Sequence, residues 1–115
     1  MPCVRVFTNV EAEKPAQIAF LKELSATIAK LLNKPEGYVT VSLIANQCML
    51  WGGEDVPCAQ ILLMSLGGLD ADVNAKISGK VQALLTKHFK IASDHYYIQF
   101  CDCEGYMIGY DGMTF

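Results

Sequence analysis

The stretch that most limits what this chain can fold into is Cys58-Ala59-Gln60-Ile61-Leu62-Leu63-Met64-Ser65-Leu66, apolar throughout except at Gln60 and Ser65. A run of this length, closed by Gly67-Gly68, reads as a strand, and the near absence of polar alternation predicts cover on both of its faces. It is therefore a central strand, and the flanking segments must supply its neighbours. Residues 3–9 do so with a period of two, Cys3, Arg5 and Phe7 alternating with Val4, Val6 and Thr8. Pro15 suits the first turn of a helix, and Ile18, Leu21, Leu24, Ile28 and Leu31 then recur at helical spacing. Asn33 suits the left-handed residue that ends a helix and Pro35 forbids continuation, which leaves Lys34 at the helix exit. Tyr38 to Ile44, rich in β-branched residues, reads as a second strand, parallel to the first because a helix connects them.

The same order returns after the central strand. Asp70 or Asp72 can cap a second helix whose stripe is Ile77, Val81, Leu84, Leu85 and His88, and Tyr96 to Cys101 alternates again. Between the halves, Gln47 to Trp51 reads as a short extra strand and Gly52 to Asp55 as a turn; Asp102 to Gly105 reads as a turn before the tail, residues 106–115. Two strand–helix–strand units in one domain, residues 1–115, predict an α+β fold: a four-stranded mixed sheet with both helices on one face. The other face is left bare. In a chain that is 52% hydrophobic, association with its own copies is the economical cover.

Charge and cysteine usage narrow the function. A net charge of -3 without a Lys/Arg cluster argues against a nucleic-acid partner or an anionic membrane surface. No apolar run reaches the length of a membrane span and no leader precedes the first strand, so a soluble cytoplasmic chain is expected. Five cysteines, an odd number without CxxC spacing, support neither a disulfide framework nor a zinc site. Reduced and mostly buried thiols are expected, with Cys101 and Cys103 as inert neighbours. His88 and His95 lack a partner motif and read as helix-face and loop residues. Arg5, the sole arginine, reads as a solvated or interface charge, and Trp51 as packing.

The candidate chemistry sits at the start. Proline behind an initiator permits removal of Met1, which would leave Pro2 as a secondary amine at the head of a strand. An α-amino group titrates at about 7.7–8.0, and burial or a nearby cation lowers that toward neutrality, making it a candidate base. The alternative is a proline that merely opens an edge strand, where its missing N–H costs nothing. Lys34 likewise has an alternative role, complementing a helix dipole.

Met1-Pro2, Thr8-Asn9-Val10, Lys34-Pro35, Gly52-Gly53, Pro57-Cys58-Ala59, Ser65-Leu66-Gly67, Tyr97-Ile98, and Gly109-Tyr110 ahead of Thr114-Phe115 are weak singly. In this order they resemble the macrophage migration inhibitory factor family and its tautomerase relatives over essentially the whole chain. The resemblance implies a homotrimer whose three sheets form a barrel-like core, with active sites at the subunit interfaces and no cofactor or metal. It implies that Pro2 is the general base of a keto–enol tautomerase acting on a small aromatic α-keto acid such as phenylpyruvate, or on a dopachrome-like ring. Lys34 would bind the substrate carboxylate and help keep the Pro2 amine neutral. Leu66 would offer its backbone N–H, with Ser65 beside it. Tyr38, Ile108, Tyr110 and Phe115 would form an apolar wall, and Tyr97 and Gln99 would reach in from the neighbouring subunit. Gln99 replaces the family's usual asparagine and Tyr110 its usual tryptophan, while Ile61 stands where a second cysteine would make a CxxC, so thiol–disulfide activity is not expected. The resemblance also implies a cytokine-like role with a cell-surface receptor and export without a signal peptide. The competing expectation is a non-catalytic receptor ligand that keeps the fold.

Overall fold

A computed structural model describes residues 1–115. In chain order the elements are β1 (Pro2–Thr8), α1 (Lys14–Leu32), β2 (Thr40–Ile44), β3 (Ala59–Ser65), α2 (Ala71–Phe89), β4 (Tyr96–Asp102), and a hairpin of β5 (Gly109–Tyr110) with β6 (Met113–Thr114). The main sheet has the order β2-β1-β3-β4. β1 and β2 are parallel, β3 and β4 are parallel, and the two halves meet along the antiparallel pair β1/β3. This is the mixed sheet of two strand–helix–strand units expected from the sequence.

Local signals account for most element ends. Pro15 lies in the first turn of α1, and Asn33 closes that helix in the left-handed region at φ 53°. Asp70 caps α2 by accepting the Val73 N–H at 2.8 Å, satisfying one of the orphan donors of the first turn. α2 ends on Lys90 at φ 57°, a left-handed stop supplied by a residue other than the expected glycine or asparagine.

Both crossovers place their helices on the same side of the sheet, as two right-handed units joined antiparallel must. That side holds the core: Val4 and Val6 of β1, Ile61 and Leu63 of β3, Phe20, Leu24 and Ile28 of α1, and Ile77, Val81 and Leu85 of α2. The opposite face consists of three cross-strand rows: Ile44, Phe7, Gln60 and Tyr97; Ser42, Arg5, Leu62 and Gln99; Thr40, Cys3, Met64 and Cys101. It has no cover within the chain. Leu62 is 41% and Tyr97 70% exposed, so the central run is enclosed on one face only.

Three expectations are corrected. Gln47 to Trp51 is not a strand: its only ladder contact is the single bridge between Trp51 and Glu54. The Asn9 side chain holds this segment instead, donating to the Met49 carbonyl at 3.0 Å and the Val56 carbonyl at 2.7 Å. The second strand begins at Thr40, because Pro35 leads into a 3-10 turn, Glu36–Tyr38, closed by Tyr38 N–H to Pro35 O at 3.1 Å. The thiols are not mostly buried: only Cys58 is, whereas Cys48 and Cys101 are exposed and Cys3 and Cys103 half-buried. Cys3 and Cys101 fall on the uncovered sheet face, and Cys48 falls in the loop that forms no strand.

Candidate active site

The pairing of Pro2 with Ser65 places the start of β1 beside the end of β3. The exit of α1 arrives at the same corner, because Asn33 turns the backbone there and Pro35 directs it away. The result is a cleft of about 500 Å³ lined by Met1, Lys34, Pro35, Tyr38, Leu66 and Phe115, with Leu32, Asn33 and Gly68 at its edge. Pro2 lies directly beneath Met1 and is buried. Burial, and secondarily the charge of Lys34, lower the pKa of the Met1 amine below its ordinary value of 8.0. Both effects disfavour the ammonium form.

Lys34 is held across the cleft by donating from Nζ to the Leu66 carbonyl oxygen at 2.7 Å. The turn that presents Leu66 is fixed from both sides. Ser65 Oγ donates to the Gly67 carbonyl at 2.7 Å, and the Gly67 N–H donates to Asp102 Oδ1 at 2.9 Å. Ser65 is itself fully enclosed, so its hydroxyl shapes the turn.

The far wall comes from the C-terminus. The Phe115 N–H donates to the Ile108 carbonyl at 3.1 Å, and the Phe115 ring stacks on Tyr110 at 5.0 Å between centroids. Tyr38 closes the group edge-on, 5.9 Å from Tyr110 and 6.5 Å from Phe115. Lys34, Tyr38, Leu66 and Phe115 are thus brought together around Met1 and Pro2, with Tyr110 behind Phe115 and Ile108 anchoring it by its backbone.

Tyr97 and Gln99 are elsewhere in the chain. Tyr97 pairs with Gln60, five positions along β3 from Ser65, about 17 Å away at strand rise. Its ring packs at a tilt against Trp51, 4.8 Å between centroids, and with Gln99 it lines a hollow of about 270 Å³ on the uncovered face. Within one chain, neither reaches the cleft.

Two contributors were not singled out in the sequence. Gly68 turns the chain at φ 78°, a backbone conformation that a side chain would strain, and packs there beside Leu32 and Lys34; the Gly-Gly pair had suggested only a strand break. Asp102, read as a turn residue, fixes the Leu66 turn across 35 positions of sequence, a separation at which no local signal operates.

Two strand–helix–strand units around an antiparallel seam, with a cleft where the N-terminus meets a helix-exit lysine, define a protein of the tautomerase superfamily fold. The sequence profile of the family described as macrophage migration inhibitory factor (MIF) matches residues 1–115, and the chain belongs to that family. A macrophage migration inhibitory factor homolog of Trichuris trichiura is 39% identical over 115 residues, spanning 100% of both chains. One of Brugia malayi is 36% identical over 115 residues, spanning 100% of this chain and 99% of its own. Among solved structures, the homologue from Prochlorococcus marinus superposes with a TM-score of 0.93 at 32% identity, covering 98% of each chain.

Proposed function

We propose that this chain, once Met1 is removed, is a keto–enol tautomerase that works as a homotrimer on small aromatic α-keto acids of the phenylpyruvate type or on dopachrome-like rings. The observation that carries the proposal is geometric: the buried Pro2 at the head of β1 opens onto a cleft that holds the Lys34 ammonium and an apolar aromatic wall. In the reaction the Pro2 nitrogen takes a proton from the carbon beside the keto group. The electron pair left behind forms the enol double bond, and the former carbonyl oxygen receives a proton. Lys34 exchanges its bond to the Leu66 carbonyl for the substrate carboxylate, and the Leu66 N–H is assigned as a further donor to the substrate. Tyr97 and Gln99 act from a neighbouring copy, a role their distance from their own cleft leaves open to them.

Met1 decides whether this chemistry is available. While it is attached, the Pro2 nitrogen is a tertiary amide without a basic lone pair, and Met1 itself lines the cleft. Phenylpyruvate tautomerase activity is therefore expected in protein whose intact mass shows Met1 removed, and none in protein that keeps it. Full activity in the untrimmed chain would take Pro2 out of the mechanism.

Cytokine-like signalling through a cell-surface receptor, after synthesis in the cytoplasm and export by a non-classical route, is proposed as a second role. The exposed Tyr106, Met107 and Met113 of the tail support a protein-facing surface. A trimmed chain without tautomerase activity that still binds cells would make that role the sole one.

A further inference from the structure

The uncovered sheet face carries an unbroken row of sulfur. Register sets Cys3 of β1 opposite Met64 of β3, and Met64 opposite Cys101 of β4. Cys103 returns to the same place two residues on, its Sγ 3.8 Å from that of Cys101. Within a single chain Cys101 is exposed, and Met64 and Cys103 are half-buried. Asp102, between the two cysteines, is occupied by the Gly67 N–H.

We propose that Cys101 and Cys103, with the Met64 thioether beside them, bind one soft monovalent metal ion, Cu(I). Thiolates and thioethers are the ligands that select Cu(I), which is satisfied by two or three sulfurs. Zinc asks for four ligands, and no group of three or more His, Cys, Asp or Glu side chains is placed to hold a metal. The two sulfurs stand at 3.8 Å, a gap that metal–sulfur bonds of about 2.3 Å span in a bent arrangement.

On binding, both thiols lose their protons and two copper–sulfur bonds form. Two protons leave, the site gains a net charge of one negative unit, and no oxidation state changes. Because each thiol must shed its proton to bind copper, uptake strengthens as pH rises. The site uses no group of the cleft around Met1, so its test stands apart from the tautomerase assay.

Reduced full-length protein is titrated anaerobically into the Cu(I)–bicinchoninate complex and the loss of dye absorbance is read. Wild type is expected to withdraw one equivalent per chain, with a charge-corrected native mass that gains one copper and loses one hydrogen, as replacement by a monovalent ion requires. Cys101→Ser and Cys103→Ser should each abolish uptake, Cys48→Ser should leave it unchanged, and Met64→Leu should keep the stoichiometry with weaker affinity. A measurement without variants guards against misfolding: copper should protect Cys101 and Cys103, but not Cys48, from iodoacetamide in peptide mapping. Wild type that leaves the dye complex intact, a serine variant at position 101 or 103 that retains the full equivalent, or unprotected Cys101 and Cys103 would each overturn the site.

Discussion

At the scale of the residue, Lys34 carries two effects that experiment can separate. Its ammonium lines the cleft, where the proposed substrate carboxylate would meet it, and its charge lowers the pKa of the amine of Met1 and would act in the same direction on that of Pro2 after trimming. Lys34→Ala is expected to raise KM for phenylpyruvate more than for an ester lacking the carboxylate, measured by steady-state kinetics on trimmed protein. The same change should move the pH profile. Activity rises as the Pro2 amine loses its proton, and without the neighbouring cation that midpoint shifts upward. Gly105 tests the far wall. A Cβ there would lie 2.6 Å from the Phe115 carbonyl oxygen, a backbone atom that must move. Gly105→Ala should displace Phe115 from Tyr110 and Tyr38 and raise KM, while the thermal midpoint, set by the distant core, changes little.

At the scale of the element, α1 and α2 are joined on their exposed side by one carboxylate. Glu23 Oε1 accepts from Lys87 Nζ at 2.7 Å and meets His88 Nε2 at 3.2 Å, while the His88 ring packs edge-on against Phe20 at 5.6 Å. The hydrogen bond from Lys87 lowers the Glu23 pKa below its ordinary value of 4.5. A carboxylate lowered by folding contributes stability that is fully present above its unfolded pKa and is lost as pH falls through the folded one. The thermal midpoint of wild type over Glu23→Gln should therefore be highest above pH 4.5 and vanish on further acidification. A constant difference at all pH values would show that the carboxylate's charge is not what joins the helices.

At the scale of the whole molecule, the uncovered sheet face is the surface that calls for a partner. Phe7, Leu62 and Tyr97 lie in its two adjoining rows, and apolar groups so arranged mark a contact with another chain. Leu62→Asp should convert the proposed trimer to monomer in light scattering while leaving the secondary structure intact. Val6→Asp, on the enclosed side of the same sheet, should instead prevent folding, because a charge buried without a partner is far more costly than an exposed one.

The sequence by itself determined the elements and their faces. Periods of two and 3.6, Pro15, Asn33 and Pro35 around α1, and Asp70 before α2 act within a few residues, and a linear reading sees them. It also marked Pro2 and Lys34, through the company they keep along the chain. Where those rules weaken, the reading failed: Gln47 to Trp51 has strand-like composition, but Asn9, 40 positions from Met49, takes its backbone partners. Only the tertiary structure decided which ends meet. The pairing of Pro2 with Ser65, the bond from Lys34 to Leu66, the return of Phe115 to Ile108 and the sulfur row of Cys3, Met64 and Cys101 all depend on register. Register is fixed by the ladder and by burial of one whole face at once, and no local stretch of sequence contains that constraint.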